Sequence, residues 1–171
     1  TEMPQCFLGL GSNQADPEQQ LYRACAAIAT LPGTFVLKCS PFYRSTPLGP
    51  ADQPDYVNAV IAVQTDLEPL ELLDRLQAIE LAQGRNRNGE RWGPRTLDLD
   101  ILLYGDQQLD LPRLRVPHYH MHARPFVLYP LADIAPGLRL PDGTELAELL
   151  SKCPADGLER MSGQTSDALS P

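Results

Sequence analysis

An apolar run over residues 97–104 carries two aspartates separated by a single residue, and this pattern restricts the possible folds more than any other feature of the chain. Because side chains alternate between the two faces of a strand, Asp98 and Asp100 point to the same side, with their Cα atoms roughly 6.6 Å apart. The intervening leucines and Ile101 then point to the opposite side. We therefore predict a strand in the interior of a sheet, with a pair of carboxylates at one end.

A basic, glycine-bearing turn leads directly into this strand. Four of the 14 basic residues fall within it, although the whole chain has a net charge of −8: Arg85, Arg87, Arg91 and Arg95. Paired carboxylates are hard oxygen ligands that suit Mg²⁺, and Mg²⁺ usually keeps water and substrate phosphates in its shell. Arginines beside them can bind phosphate oxygens. The juxtaposition predicts a metal–triphosphate site, and the alternatives are aspartates that face water or pair with arginines, and a solvated arginine loop.

Composition limits the class of protein. With 171 residues, 43% of them hydrophobic, the chain suits one globular domain, predicted over 1–161, followed by a disordered tail at 162–171. The acidic balance argues against nucleic acid or an anionic membrane as a partner. No signal peptide and no stretch of about 18 apolar residues is present, which predicts a cytoplasmic protein. Four scattered cysteines fit reduced thiols in that compartment, and a monomer is the expected state.

The order of predicted elements indicates an α+β fold. Strand-like and helical patterns alternate as strand, helix, strand, strand, helix, strand, over residues 5–10, 17–31, 34–43, 56–65, 69–83 and 98–104. This order is typical of a ferredoxin-like αβ sandwich, an antiparallel sheet with helices packed on one face. Two further short helices are predicted, at 125–132 and 144–152.

Two other groups of residues are candidates for chemistry. Tyr56 and Asn58 lie two apart on a predicted strand, so an aromatic surface and an amide face the same way and could hold a flat heterocycle. The alternative is a strand-edge tyrosine and a turn-side asparagine. His118, His120 and His122 alternate, which on an extended chain would allow a zinc site. Phosphate contacts by His118, together with Tyr119 and Arg124, are the favoured interpretation.

Several segments, in this order along the chain, resemble the 6-hydroxymethyl-7,8-dihydropterin pyrophosphokinases of folate biosynthesis. They are Gly-Ser-Asn at 11–13, then 42–50, 52–59, 91–102, 116–119 and Arg124. The resemblance implies transfer of diphosphate from ATP to the hydroxymethyl oxygen of the pterin, with AMP as the second product and two Mg²⁺ ions as cofactors. It also implies a ferredoxin-like sandwich.

The resemblance further implies roles for individual residues. Catalysis would involve Arg85, Arg95, Asp98 and Asp100, of which the two aspartates would bind both metal ions. The residues implied on the ATP side are Gln77, Glu80, Arg85, Arg87, Trp92, Arg95, Ile101, His118, Tyr119 and Arg124. Those implied around the pterin are Ser45, Leu48, Tyr56, Asn58, Trp92 and Phe126. Two residues depart from the family pattern: Ser45, where threonine is common, and Asn88, where some relatives have a basic residue.

Two other functions stay open at the level of sequence. One is another Mg²⁺-dependent transferase with an Asp-x-Asp pair, such as a nucleotidyltransferase or a glycosyltransferase. The other is a ferredoxin-like sensor that binds nucleotide without turnover. Product identity separates the enzymes from one another, and the paired aspartates favour an enzyme over a sensor, since a sensor needs no metal at a transferred phosphate.

Overall fold

The computed structural model describes residues 3–13, 16–45, 55–83, 97–118, 121–155 and 157–161. Several residues singled out above lie outside these ranges, namely Leu48, Arg85, Arg87, Asn88, Arg91, Trp92, Arg95, Tyr119, His120 and the predicted tail at 162–171. Among the helices within these ranges, none is both long enough and apolar enough to span a bilayer.

The described strands build one six-stranded antiparallel sheet and a small hairpin. The sheet contains β1 (Gln5–Ser12), β2 (Thr34–Cys39), β3 (Tyr43–Ser45), β4 (Tyr56–Thr65), β5 (Asp98–Tyr104) and β8 (Leu158–Arg160). The hairpin pairs β6 (Leu109–Asp110) with β7 (Arg115–Val116). The sheet order is β5-β1-β4-β3-β8, and β2 also pairs with β4. Strand β4 has the predicted bounds, as its valine- and isoleucine-rich sequence favours.

Helices cover both faces of this sheet. They are α1 (Pro17–Ala29), α2 (Pro69–Gln83), α3 (Pro125–Ile134) and α4 (Leu146–Ser151). On β4, Ile61 and Val63 belong to the core shared with α1 and α2, whereas Val60 and Ala62 belong to the core shared with α3 and α4. The α+β sandwich is confirmed, but the expectation of helices on one face is wrong. Because β4 is apolar along almost its whole length, both of its faces require cover.

The strand predicted over 34–43 is interrupted. Ser40 and Pro41 separate β2 from β3, and proline has no N–H to continue a strand ladder. The side chain of Ser40 compensates, because its Oγ accepts a hydrogen bond from the backbone N–H of Val60 at 2.9 Å. The chain thereby enters β3 as a separate strand, which presents Tyr43 and Ser45 beside β4.

Strand β5 lies at the edge of the sheet and not in its interior. Its apolar side chains are buried by the helical layers, with Leu99 only 4% exposed. Its outer backbone edge is covered by contacts from outside the sheet: the N–H of Leu99 donates to Glu80, and the C=O of Leu102 accepts from the N–H of His118 at 3.0 Å. The apolar run correctly predicted burial, but burial here comes from packing across the faces and from these two contacts.

Candidate active site

A cavity of about 230 Å³ opens between the ends of β1, β3, β4 and β5 and the start of α3. Eight of the predicted site residues line it: Ser45, Tyr56, Asn58, Asp98, Asp100, His118, Arg124 and Phe126. They come from five separate parts of the chain, so the cavity exists only in the folded sheet.

The register of the sheet explains why these residues meet. Gly11 of β1 pairs with Asn58 of β4 on one side and with Asp98 of β5 on the other. Gly9 pairs with Asp100 in the same way, two residues along β1. Glycines in a strand often mark a place where a ligand approaches the backbone closely. Strand β1 therefore adds no side chain between the amide of Asn58 and the paired carboxylates.

The two aspartates leave β5 on the cavity side, as predicted. Asp98 is half-buried and Asp100 is exposed, while Leu99 between them faces the core. His118 approaches this pair, with 3.8 Å between its Nε2 and Oδ1 of Asp100. Burial first, and then the negative charge of Asp98, raise the pKa of Tyr56. The acidic end of the cavity is thus continuous with its aromatic end.

The donors at this acidic end suit a hard cation better than zinc. Within the described ranges, no group of three or more His, Cys, Asp or Glu side chains could hold a metal ion. A two-carboxylate set leaves most of the coordination shell to water and substrate oxygens, which is how Mg²⁺ is usually held. The extended chain that the zinc alternative assumes is not found at His122, which lies in a 3-10 turn at Met121–Ala123, and His120 lies outside the described residues.

The opposite wall of the cavity combines aromatic rings with an amide. Tyr56 begins β4, and Phe126 lies in the first turn of α3, after Pro125 at the first helical position. The Arg124 guanidinium lies 5.5 Å from the centre of the Phe126 ring. Asn58, only 6% exposed, accepts a hydrogen bond from the Ser45 hydroxyl, with 2.7 Å between the oxygens. Rings and an amide of this kind suit a flat, polar heterocycle.

Helix α3 is anchored at its far end to the strand that carries Ser45. The phenol of Tyr43 donates a hydrogen bond to Oδ2 of Asp133. Burial, and next the hydrogen bond and charge of Asp133, raise the pKa of Tyr43, so the phenol stays protonated as the donor. This contact fixes α3, and with it Phe126, relative to β3.

Among the predicted site residues that fall in the described ranges, three do not line the cavity. Gln77 and Glu80 lie on α2, where the Gln77 carbonyl oxygen accepts from Arg113 at 3.2 Å and the Glu80 carboxylate accepts from the β5 backbone. Ile101 is 2% exposed, and its side chain belongs to the core beneath α1 and α2. These residues lie on the other side of β5, near the segment that carries Arg113.

Sequence reasoning missed the residues that form the floor and back of the cavity. Gly9 and Gly11 line it, together with Leu102. The available signal was the two-residue spacing of Gly9 and Gly11, but the predicted strand ends at residue 10 and Gly11 was interpreted as the start of a turn, whereas β1 continues to Ser12.

Aromatic rings beside paired carboxylates and basic side chains are typical of an enzyme that transfers a phosphoryl-type group to a small, flat substrate. Residues 7–136 match the family model described as 7,8-dihydro-6-hydroxymethylpterin-pyrophosphokinase (HPPK). The chain belongs to this family, and the predicted diphosphate transfer from ATP to a hydroxymethyldihydropterin, a step of folate biosynthesis, is confirmed.

Relatives from two bacteria carry the same description, 2-amino-4-hydroxy-6-hydroxymethyldihydropteridine pyrophosphokinase. The protein from Pseudomonas aeruginosa is 64% identical over 157 residues, which cover 92% of this chain and 96% of the relative. The protein from Haemophilus influenzae is 53% identical over 146 residues, which cover 85% of this chain and 91% of the relative.

Solved structures show the same fold at much lower identity. The crystal structure of a Plasmodium falciparum HPPK-DHPS triple mutant with pteroate superposes with a TM-score of 0.71 at 14% identity. The superposition covers 93% of this chain and 47% of that chain, so this chain spans about half the length of the bifunctional protein. The predicted ferredoxin-like sandwich is confirmed by this likeness.

Proposed function

We propose that the cavity described above performs the reaction of the family, with the pterin ring between Tyr56 and Phe126 and the triphosphate of ATP at Asp98 and Asp100. The observation that best supports this assignment is the pairing of Gly11 with both Asn58 and Asp98. The amide proposed to bind the ring and the carboxylate proposed to bind metal therefore lie on either side of a single glycine. A ring held at Asn58 would extend its substituent across Gly11 toward the carboxylates. Positioning of this kind supplies much of the catalysis in phosphoryl transfer.

Asp98 and Asp100 would hold two Mg²⁺ ions, which suits their hard oxygen donors and the absence of a group of three or more metal-binding side chains among the described residues. When bound there, the ions supply cancellation of the triphosphate charge and lower the pKa of the attacking hydroxyl. The two aspartates serve as a fixed anionic support, since β5 is held on both faces and along its outer edge.

Basic side chains would bind the oxygens of the transferred diphosphate. His118 and Arg124 line the cavity and lie on the side that faces the aspartates and Phe126. The proposal also assigns ATP contacts to residues outside the described ranges: Arg85, Arg87, Trp92, Arg95 and Tyr119. Leu48 and Trp92, also outside these ranges, are assigned to the pterin side. Arginines suit this role because their planar donors match phosphate oxygens.

The nucleoside end of ATP would lie beyond the outer edge of β5. Gln77, Glu80 and the backbone at Ile101 are the groups proposed there, beside the segment 113–115. Because the Ile101 side chain is buried in the core, its contribution would come from backbone groups.

The proposed reaction is a single in-line displacement. The hydroxymethyl oxygen forms a bond to the β-phosphorus of ATP, and the bond between that phosphorus and the oxygen of the α-phosphate breaks. AMP leaves with the electron pair, and the hydroxyl proton is lost to solvent. The protein supplies orientation and charge, since this chemistry needs no covalent intermediate.

Product analysis tests the proposal. The protein is incubated with ATP, 6-hydroxymethyl-7,8-dihydropterin and Mg²⁺, with a chelated control, and the products are separated by chromatography. We expect AMP and the pterin diphosphate in equal amounts, and neither in the chelated control. Pyrophosphate or a nucleoside diphosphate as product would instead indicate a nucleotidyltransferase or a glycosyltransferase, and binding without turnover would indicate a sensor.

We also propose that a monomer is the active form, because one folded chain is sufficient to bring the paired aspartates, the Asn58 amide and the Phe126 ring around a single cavity. Sedimentation equilibrium at the concentration of the assay tests this. A specific activity that rises with protein concentration, in step with a dimer, would contradict it.

A further inference from the structure

The amide of Asn58 is held in one orientation by its neighbours. The Ser45 hydroxyl donates to Oδ1 of Asn58, and both side chains are buried, at 7% and 6% exposure. Within the described part of the chain, this is the amide's only hydrogen bond. The Nδ2 donors and the second lone pair of Oδ1 are therefore left for a ligand in the cavity that both residues line.

The backbone opposite this amide leaves it just enough room. Gly11 is the cross-strand partner of Asn58, and a Cβ built on Gly11 would lie 2.9 Å from Nδ2, closer than real Cβ contacts. A Cβ at Gly9 would lie 3.4 Å from the tip of the Leu102 side chain, an ordinary van der Waals distance. The two glycines of β1 therefore differ: a methyl group at Gly11 displaces the amide, and one at Gly9 does not.

We infer that Ser45 and Gly11 are positioning residues that fix which way the Asn58 amide faces, and that they thereby make the site select a heterocycle with an oxo group next to a ring N–H. This inference rests on the proposed function, in which the substrate ring lies against Asn58. The site then recognises the hydrogen-bonding pattern along the edge of the substrate ring, and not only the flat shape of the ring.

The chemistry of the two possible ring edges explains the selection. A 4-oxopteridine presents a C=O acceptor beside an N3–H donor, which matches the N–H donor and the free Oδ1 lone pair of Asn58. A 2,4-diaminopteridine presents the reverse, an amino donor beside an N3 lone pair. To bind it, the amide must turn over and place its N–H groups against the Ser45 hydroxyl, whose proton then needs another acceptor in a buried place. Loss of one such hydrogen bond corresponds to about a tenfold change in affinity.

A matched pair of ligands tests this inference. The dissociation constants of 6-hydroxymethylpterin and 2,4-diamino-6-hydroxymethylpteridine are measured by calorimetry, at a pH where both rings are neutral. Mg²⁺ and α,β-methylene ATP are present, because the transferred group is cleaved at the bridge that the methylene replaces. We expect the wild-type protein to prefer the oxo ligand by at least about tenfold. Ser45→Ala should reduce that preference about tenfold, and Ser45→Thr, which restores a hydroxyl, should retain it.

The glycines provide a second and independent variant pair. Gly11→Ala should reduce the preference for the oxo ligand, and Gly137→Ala, at a glycine outside the cavity with open space around an added methyl group, should keep the wild-type ratio. Circular dichroism and thermal midpoints establish that each variant is folded. A wild-type ratio in both folded Ser45→Ala and folded Gly11→Ala overturns the inference while leaving the proposed function intact. A wild-type protein that binds neither pteridine overturns the proposed function, and the inference with it.

Discussion

The carboxylate of Glu80 accepts a hydrogen bond from the backbone N–H of Leu99, with 2.8 Å between Oε2 and the nitrogen. Leu99 stands between Asp98 and Asp100, so helix α2 holds the edge strand at the point where both carboxylates leave it. The outer edge of a sheet otherwise presents unpaired backbone groups that are free to shift or to pair elsewhere. The alignment of the two carboxylates therefore depends on a residue on the far side of the strand from the cavity.

Replacement of this contact should loosen the edge strand. Glu80→Ala is expected to lower the free energy of unfolding by about 1 kcal/mol, the net value of one such hydrogen bond, and to lower kcat about tenfold. Glu80→Gln keeps an acceptor oxygen and should recover most of both. Urea unfolding and steady-state kinetics measure the two effects. Equal losses in the two variants would show that the charge of Glu80 matters, and not its hydrogen bond to Leu99.

The local parts of this architecture could be predicted from the sequence. The alternation around Asp98 and Asp100 gave their common face, and the two-residue spacing of Tyr56 and Asn58 gave theirs, because both depend only on the period of a strand. The order of helices and strands gave the fold class in the same way. The resemblance to a family then supplied residues, such as Phe126, that no local pattern singles out.

What the sequence could not give depends on contacts between distant segments. Strand β5 can lie at the edge because Glu80 and His118 hydrogen-bond to its outer backbone groups, where a neighbouring strand would otherwise pair. An apolar run has the same sequence pattern at the edge of a sheet and in its interior. The break between β2 and β3 depends on the Ser40 hydroxyl, which substitutes for a backbone acceptor. The role of Gly11 follows only from the register that sets it between Asn58 and Asp98.

The aromatic wall makes a prediction that separates the two substrates. Phe126→Ala should raise the KM for the pterin about tenfold, because stacking on a ring is worth about 1 kcal/mol or more, and should leave the KM for ATP within about twofold. Phe35→Ala is the matched control, since Phe35 is 56% exposed on β2 and does not line the cavity. If only the KM for ATP rose, Phe126 would contact ATP and not the pterin, and its assignment to the pterin would be wrong.

A buried phenol predicts how stability depends on alkaline pH. Tyr104 donates a hydrogen bond to the carbonyl of Leu67, and burial, followed by the nearby Cys6, Glu68 and Asp66, raises its pKa from 10.0 to about 12. Because the folded state holds the proton more tightly, this contribution is complete below pH 10 and is lost as the pH rises toward 12.

Tyr104→Phe should therefore weaken the pH dependence of the free energy of unfolding in that alkaline range. At neutral pH the same variant should be less stable by about 1 kcal/mol, because the Leu67 carbonyl loses its donor. Urea unfolding followed by circular dichroism across the range measures both. An unchanged alkaline slope would mean that other groups cause the loss of stability.

Diphosphate transfer should depend on divalent ions that Asp98 and Asp100 hold together. Titration with Mn²⁺, followed by the electron paramagnetic resonance of the free ion in the presence of α,β-methylene ATP, tests it most directly. The wild-type protein should bind two ions per chain, whereas folded Asp98→Asn and Asp100→Asn should lose at least one of them and transfer diphosphate about a hundredfold more slowly or worse. Asp106→Asn, an exposed turn residue outside the cavity, is the matched control. If either aspartate variant kept both ions and the wild-type rate, the assignment of this carboxylate pair would be wrong.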